Sequence, residues 1–236
     1  MTTTPNLNNL EKYLQEKILP DLEKSRGGFD KIHTLEVVSW LKQIISHNPK
    51  LKLDKTVLLI AAYAHDWGYS KIFKAGQIMN IEIIERAKPL HMKLGAEKTK
   101  KLLNDKFFSF LTEKQKERCA HLVAVHDKKY EIKDTDEIIL MEADMLSGLD
   151  INTKKPRYDA ESNKKFMDSL LTIRLPKFVT EFSKKEAKRL IQIRKDYYNP
   201  PLVQSSLPRC SWTAGLWLNQ KISITKKGTA SRPVSF

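Results

Sequence analysis

The chain has 236 residues, 41% of them hydrophobic and only 8 Gly and 10 Pro, which is enough for one sizeable core and fits an ordinary globular domain with an appendage. Its formal net charge of +14, from 42 Lys and Arg against 28 Asp and Glu, draws anions by long-range attraction, and both phosphorylated small molecules and nucleic acid qualify as partners. Two unpaired-looking cysteines (Cys119 and Cys210) argue against a disulfide framework or a zinc finger, Met1 to Leu14 does not read as a secretory signal, and the longest strongly apolar stretch, Thr56 to Ala64, falls far short of the roughly 20 residues a bilayer needs.

Apolar residues repeat at three and four from Leu7 to Leu22 (Leu10, Tyr13, Leu14, Ile18), which predicts a first helix, and again from Ile32 to Ile45 through Leu35, Val38 and Leu41. Asp54 stands where an N-cap belongs, ahead of Thr56 to His65, a run apolar nearly all round and therefore a buried central helix. Further helices are predicted over Ile78 to Arg86, Pro89 to Asn104, Thr112 to His126, Thr135 to Leu146, Ala160 to Leu171 and Lys184 to Tyr197. Pro89 suits a first-turn position, and Thr112 with Gln115 suits a capping box. Alternating segments are scarce, so the fold class is all-α. One helical domain is expected over residues 1–198. From 199 to 236 there is no acidic residue and no sustained period, which reads as a poorly ordered tail or a stretch foreign to the domain.

Six histidines carry the question of function, at positions 33, 47, 65, 91, 121 and 126. His33 shares an inward face with Val37, Trp40 and Ile44, a position where a lone imidazole is most often a hydrogen-bonded core residue. His65 and Asp66 close the most apolar helix of the chain, where an ionisable pair needs compensation, and a metal ion is one of the few inexpensive forms of it. Asp144 follows Ile138, Ile139, Leu140 and Met141 and points inward. His91, near a predicted helix start, and His126, at the end of the Cys119 and Leu122 face, complete a set of four imidazoles and two carboxylates. Mixed N/O ligands of this kind suit Mn, Fe, Ni, Co, Zn or Mg, and one bridging carboxylate would let six ligands serve two ions. His47, in a Ser-His-Asn-Pro turn, and His121, about 140° round the helix from His126, read as surface residues.

His33 in Phe29-Asp30-Lys31-Ile32-His33-Thr34, then His65-Asp66 in Ala61-Ala62-Tyr63-Ala64-His65-Asp66-Trp67-Gly68, then Asp144 in Glu142-Ala143-Asp144-Met145-Leu146, each on its own predicted helix, resemble the HD superfamily of metal-dependent phosphohydrolases. His91 in Pro89-Leu90-His91 with Gly95-Ala96 following, and His126 in Val125-His126-Asp127, resemble the members that bind two metals. The resemblance implies an HD-type helical bundle with additional C-terminal helices. It implies a first ion on His33, His65, Asp66 and Asp144, and a second on His91 and His126 bridged by Asp66. In members without a second metal, extra histidines donate protons or contact phosphate. Asp66 and His91 are accordingly the candidate catalytic residues. The chain continues after His126 with Asp127-Lys128-Lys129, not with a second His or a Gly-Tyr-Pro signature, which points away from cyclic-di-nucleotide phosphodiesterases.

The expected activity is hydrolysis of a phosphate ester or anhydride in a nucleotide or similar small molecule, in the cytoplasm, by water that a divalent ion activates. Lys71 and Arg157 are the candidate phosphate contacts. A nuclease or RNA phosphodiesterase of the same superfamily is the first alternative. Nucleic acid is the lesser partner, because no basic run is interleaved with stacking aromatics. A non-catalytic helical module stapled by its metal is the second alternative.

Overall fold

The computed structural model describes residues 6–74, 80–156 and 158–199, and every regular element among them is helical. The α-helices are α1 (Leu7–Lys24), α2 (Phe29–His47), α3 (Lys55–Ala64), α4 (Ile81–Leu103), α5 (Glu113–Val125), α6 (Thr135–Leu149), α7 (Ala160–Ser169) and α8 (Glu181–Tyr198), which is the all-α class expected. α3 is the axis of the bundle. Every residue from Val57 to Ala64 is buried, and α1, α2, α5 and α6 pack around it. The helix starts where it does because the Asp54 carboxylate accepts the amides of Thr56 and Val57, both at 3.1 Å. With no charged side chain after Lys55 it has no face to offer water, and each of its large aliphatic groups contributes about 1.5–3 kcal/mol by leaving solvent. The capping box at Thr112 and Gln115 is present and starts α5.

The structure corrects the reading of two helices around Pro89. α4 runs unbroken from Ile81 to Leu103 with Pro89 in its interior. A proline there removes one i→i−4 bond, but the buried stripe Ile81, Ile84, Ala87, His91 and Gly95 continues straight across it, and packing of that face outweighs the lost bond. His91 consequently lies in mid-helix, not near a start. At the other end, α7 stops at Ser169 and gives way to a π-turn, Leu170–Arg174, and a 3₁₀ turn, Leu175–Lys177. α8 is then tied to α6 by Glu142, whose carboxylate accepts the amide and hydroxyl of Thr180, the N-cap of α8, at 3.1 and 2.6 Å. The tail expected over 199–236 lies, from Pro200 on, outside the described residues.

Between α3 and α4 the chain makes a 3₁₀ turn, Trp67–Lys71, that crosses α4 with almost no clearance. A Cβ on Gly68 would stand 1.9 Å from the His91 carbonyl oxygen and 2.8 Å from the Gly95 amide nitrogen. Both obstacles are backbone, so neither can swing aside. Gly95 completes the crossing from the α4 side, where its own Cβ would meet a Val123 methyl at 3.0 Å. These two glycines bring the end of α3 against the middle of α4 and α5. Gly68→Ala is expected to destabilise the fold by roughly 3 kcal/mol or more, at or beyond the upper end of overpacking costs, read as a lower denaturant midpoint. Gly95→Ala, which meets mainly a side chain, is expected to cost less. Equal midpoints for Gly68→Ala and the wild type would contradict so close a crossing.

Candidate metal centre

Five helices each deliver one element of the centre: His33 from α2, His65 and Asp66 from the end of α3, His91 from α4, His126 from the end of α5 and Asp144 from α6. None of the six is more than 8% exposed. They form two groups of three, His33 with His65 and Asp144, and Asp66 with His91 and His126, each group having ligand atoms within 4.8 Å of one another. Asp66 joins the two. Its Oδ2 lies 3.7 Å from His33 Nε2 and 3.6 Å from His65 Nε2, while its Oδ1 lies 3.5 Å from His91 Nε2 and 3.6 Å from His126 Nε2. Asp144 Oδ1 closes on His33 Nε2 at 3.0 Å.

The donor set fits divalent ions. His65 Nδ1 donates to the Ala62 carbonyl at 2.7 Å and His126 Nδ1 to the Val123 carbonyl at 2.8 Å, and since a carbonyl only accepts, both rings carry their proton on Nδ1. His33 Nδ1 meets Ser147 Oγ at 2.8 Å, and that hydroxyl donates in turn to Glu36 Oε2 at 2.9 Å, so it accepts from His33. Three imidazoles therefore aim Nε2 lone pairs inward, orientation by hydrogen bonds of the kind that serves metal ligands. The Nε2 atoms nearly collide, His33 with His65 at 3.3 Å and His91 with His126 at 3.2 Å. Between His33 and His65, both with their proton on Nδ1, two lone pairs face each other, an arrangement that a divalent cation would satisfy.

Charge in the centre is arranged around Asp66. Burial alone would push its carboxyl up, but the neighbouring imidazoles of His65 and His126 and the Arg26 guanidinium hold it well below the usual carboxylate range. Burial and the neighbouring His126 lower His91 to about 4, so it is neutral at pH 7. Burial works against charge on His126 as well, yet Asp66 and Asp127 outweigh it and raise its pKa. Arg26 reaches Asp66 Oδ2 at 3.2 Å and is itself fixed by Asp30, which also accepts from Ser25 at 2.6 Å. Its backbone lies in the left-handed region, φ 42°, followed by Gly27 and Gly28 at 61° and 82°. A non-glycine residue there is strained by about 1–2 kcal/mol, which the buried ion pairs offset.

A cavity of about 420 Å³ opens over the centre, with His33, Asp66 and Asp144 at its floor. Its walls mix cations, among them Arg26, Lys88, Lys154 and Arg174, with apolar groups such as Phe29, Ile84, Phe166 and Leu170. Lys71 is not among them. It is exposed at the end of the 3₁₀ turn, on the side of Asp21 and Lys98, because that turn carries the chain away from the cavity. Arg157 lies outside the described residues. His47 is exposed at the last position of α2, stacked on Phe182, and His121 is exposed beside Glu137 at 2.8 Å. Sequence reasoning passes over Arg26, Lys88, Asp127, Ser147 and Arg174. Only two left a signal: the glycine pair after Arg26, and the place of Asp127 directly after a ligand.

A model of the HD domain family matches residues 31–149, about half of the chain and the span that contains all six candidate ligands. No curated protein matches. Among solved structures, the crystal structure of a predicted HD superfamily hydrolase from an uncultured Thermotogales bacterium is similar, with a TM-score of 0.51 at 19% identity, covering 83% of this chain and 90% of that one. That likeness is one of fold.

The hydrogen-bonded chain behind His33 yields a test of the centre. Ser147→Ala removes the acceptor for His33 Nδ1–H and is expected to weaken divalent-metal affinity by about 10- to 100-fold, measured by competition with a chromophoric chelator. Unchanged affinity would mean that the His33 group holds no ion.

Proposed function

Since the chain belongs to the HD domain family, we propose that it is a metal-dependent hydrolase that cleaves a phosphate ester or anhydride of a nucleotide or similar phosphorylated small molecule. The observation that carries this reading is the division of the two Asp66 oxygens between two histidine pairs, with Asp66, His33 and Asp144 open to one cavity. Divalent ions bound by these groups would lower the pKa of water toward neutrality and draw off charge developing on a phosphoryl group.

The chain's own residues divide the remaining work. Asp66, kept ionised by its neighbours, is placed to hold both metal groups and to orient a water by hydrogen bonding. His91, neutral and with a buried Nδ1 that has no partner, serves as ligand and not as acid. Lys88 and Arg174 bring positive charge to the rim of the centre, where a phosphoryl group gains negative charge as its bond breaks. Ile84, Phe166 and Leu170 offer an apolar flank suited to the flat face of a base, and that flank is what favours a nucleotide.

The test starts from the full chain stripped with a chelator and resupplied with Mn, Fe, Co, Ni, Zn or Mg. Assays run against nucleoside mono- and triphosphates, cyclic nucleotides, simple phosphate esters and oligonucleotides. Hydrolysis of small substrates should return with at least one metal. Asp66→Asn should lose bound metal and lower turnover by more than about 100-fold, the upper range for a ligand's supporting partners alone. A chain that binds no stoichiometric metal and hydrolyses nothing, or that acts on oligonucleotides only, would overturn the proposal.

A further inference from the structure

The π-turn after α7 ends on an arginine that is not among the metal-ligand candidates. Arg174 is 3% exposed, lines the cavity, and donates through Nη2 to Asp127, the residue that follows the ligand His126. Lys88 stands 3.2 Å from the same Asp127 oxygen, and the other Asp127 oxygen lies 3.8 Å from His91 Nε2. Asp127 therefore meets two cations, of which Lys88 is shared with Glu85 at 2.8 Å. Arg174 Nη1 is buried and has no hydrogen-bond partner. A buried guanidinium nitrogen without an acceptor is costly, and a role as counterion to Asp127 is already filled by Nη2 and Lys88. The backbone supports the same conclusion: an α-helix continued past Ser169 would not require a five-residue π-turn, a conformation that recurs where a side chain is re-aimed for function.

We propose that Arg174, with Lys88 beside it, forms an anion subsite in the cavity wall next to the His91 and His126 end of the centre, where Arg174 Nη1 takes a non-bridging oxygen of the substrate's terminal phosphoryl group. The subsite deepens the hydrolase reading and rests on it for the identity of the anion. Arg174 is a specificity residue by this account. Its forked guanidinium spends one arm on Asp127 and keeps the other for the ligand, a division that a lysine cannot reproduce.

Binding of inorganic phosphate to the full chain loaded with Mn, followed by calorimetry, reads the subsite without any turnover. Arg174→Lys keeps a cation for Asp127 and is expected to retain the wild-type unfolding midpoint and bound metal, while phosphate binds about 10- to 100-fold more weakly. Arg174→Met should weaken binding at least as much. If Arg174→Met does not fold, Arg174→Lys decides alone. Phosphate affinity within twofold of wild type in Arg174→Lys would overturn the subsite. The two readings fail separately: hydrolysis with Arg174-independent phosphate binding keeps the enzyme and removes the subsite, whereas Arg174-dependent binding without hydrolysis of any phosphate ester keeps the subsite and removes the enzyme.

Discussion

The carboxylate of Asp66 is the constraint on which the rest of the molecule turns. Its two oxygens face different histidine pairs, so the groups built on α2 and α3 and on α4 and α5 are joined through that single side chain, ionised and fixed. Ionisation is opposed by burial, and the bundle answers with Arg26, held in a strained left-handed backbone and fixed in turn by Asp30. Fixation comes from the backbone crossing at Gly68 and Gly95, which sets how far Asp66 can stand from His91. Strain at Arg26 and contact without clearance at Gly68 are local costs, and they are located where the ligand set would otherwise drift.

The surrounding hydrogen bonds follow from the same need. Four imidazoles in a dry interior would each settle into whatever tautomer their nearest partner favours. The carbonyls of Ala62 and Val123 and the hydroxyl of Ser147 choose for three of them, always leaving Nε2 as the inward lone pair. Two of these partners are carbonyls three residues back along the ligand's own helix, so placing His65 and His126 at helix C-termini supplies the orienting group without any further residue. Helix ends with unsatisfied carbonyls are a ready resource for this purpose.

How much of this was legible in the sequence depends on the distance over which each signal acts. The helices are read from periodicity, and α3 most easily, because Val57 to Ala64 leaves no polar face to misplace. The ligands His33, His65, Asp66, His91, His126 and Asp144 stand out because an ionisable group on an apolar face violates the local pattern. Pro89 misleads for the opposite reason: the local rule is sound, but a buried stripe spanning the whole of α4 outweighs one missing hydrogen bond. Lys71 misleads because proximity in sequence to Asp66 says nothing about which way a 3₁₀ turn carries the side chain. Lys88 and Arg174 could not be picked from 42 basic residues, since what distinguishes them is a shared carboxylate that only the fold brings to both.

The cavity wall draws on more of the chain than the ligand candidates do. The six metal-ligand candidates lie within residues 31–149, the span that the family defines. Of the wall residues, Ile84 and Lys88 lie inside it, Arg26 and Phe29 before it, and Lys154, Phe166, Leu170, Arg174 and Arg194 beyond it. The part after residue 149 is joined to the part before it by polar contacts: Glu142 accepts from Thr180, the N-cap of α8, Lys154 reaches the Ser147 carbonyl at 2.9 Å, and Arg194 reaches the Gly148 carbonyl at 2.7 Å. Each of these contacts lands on α6, the helix that carries Asp144. These contacts hold the later part of the wall in register with the helix that carries Asp144.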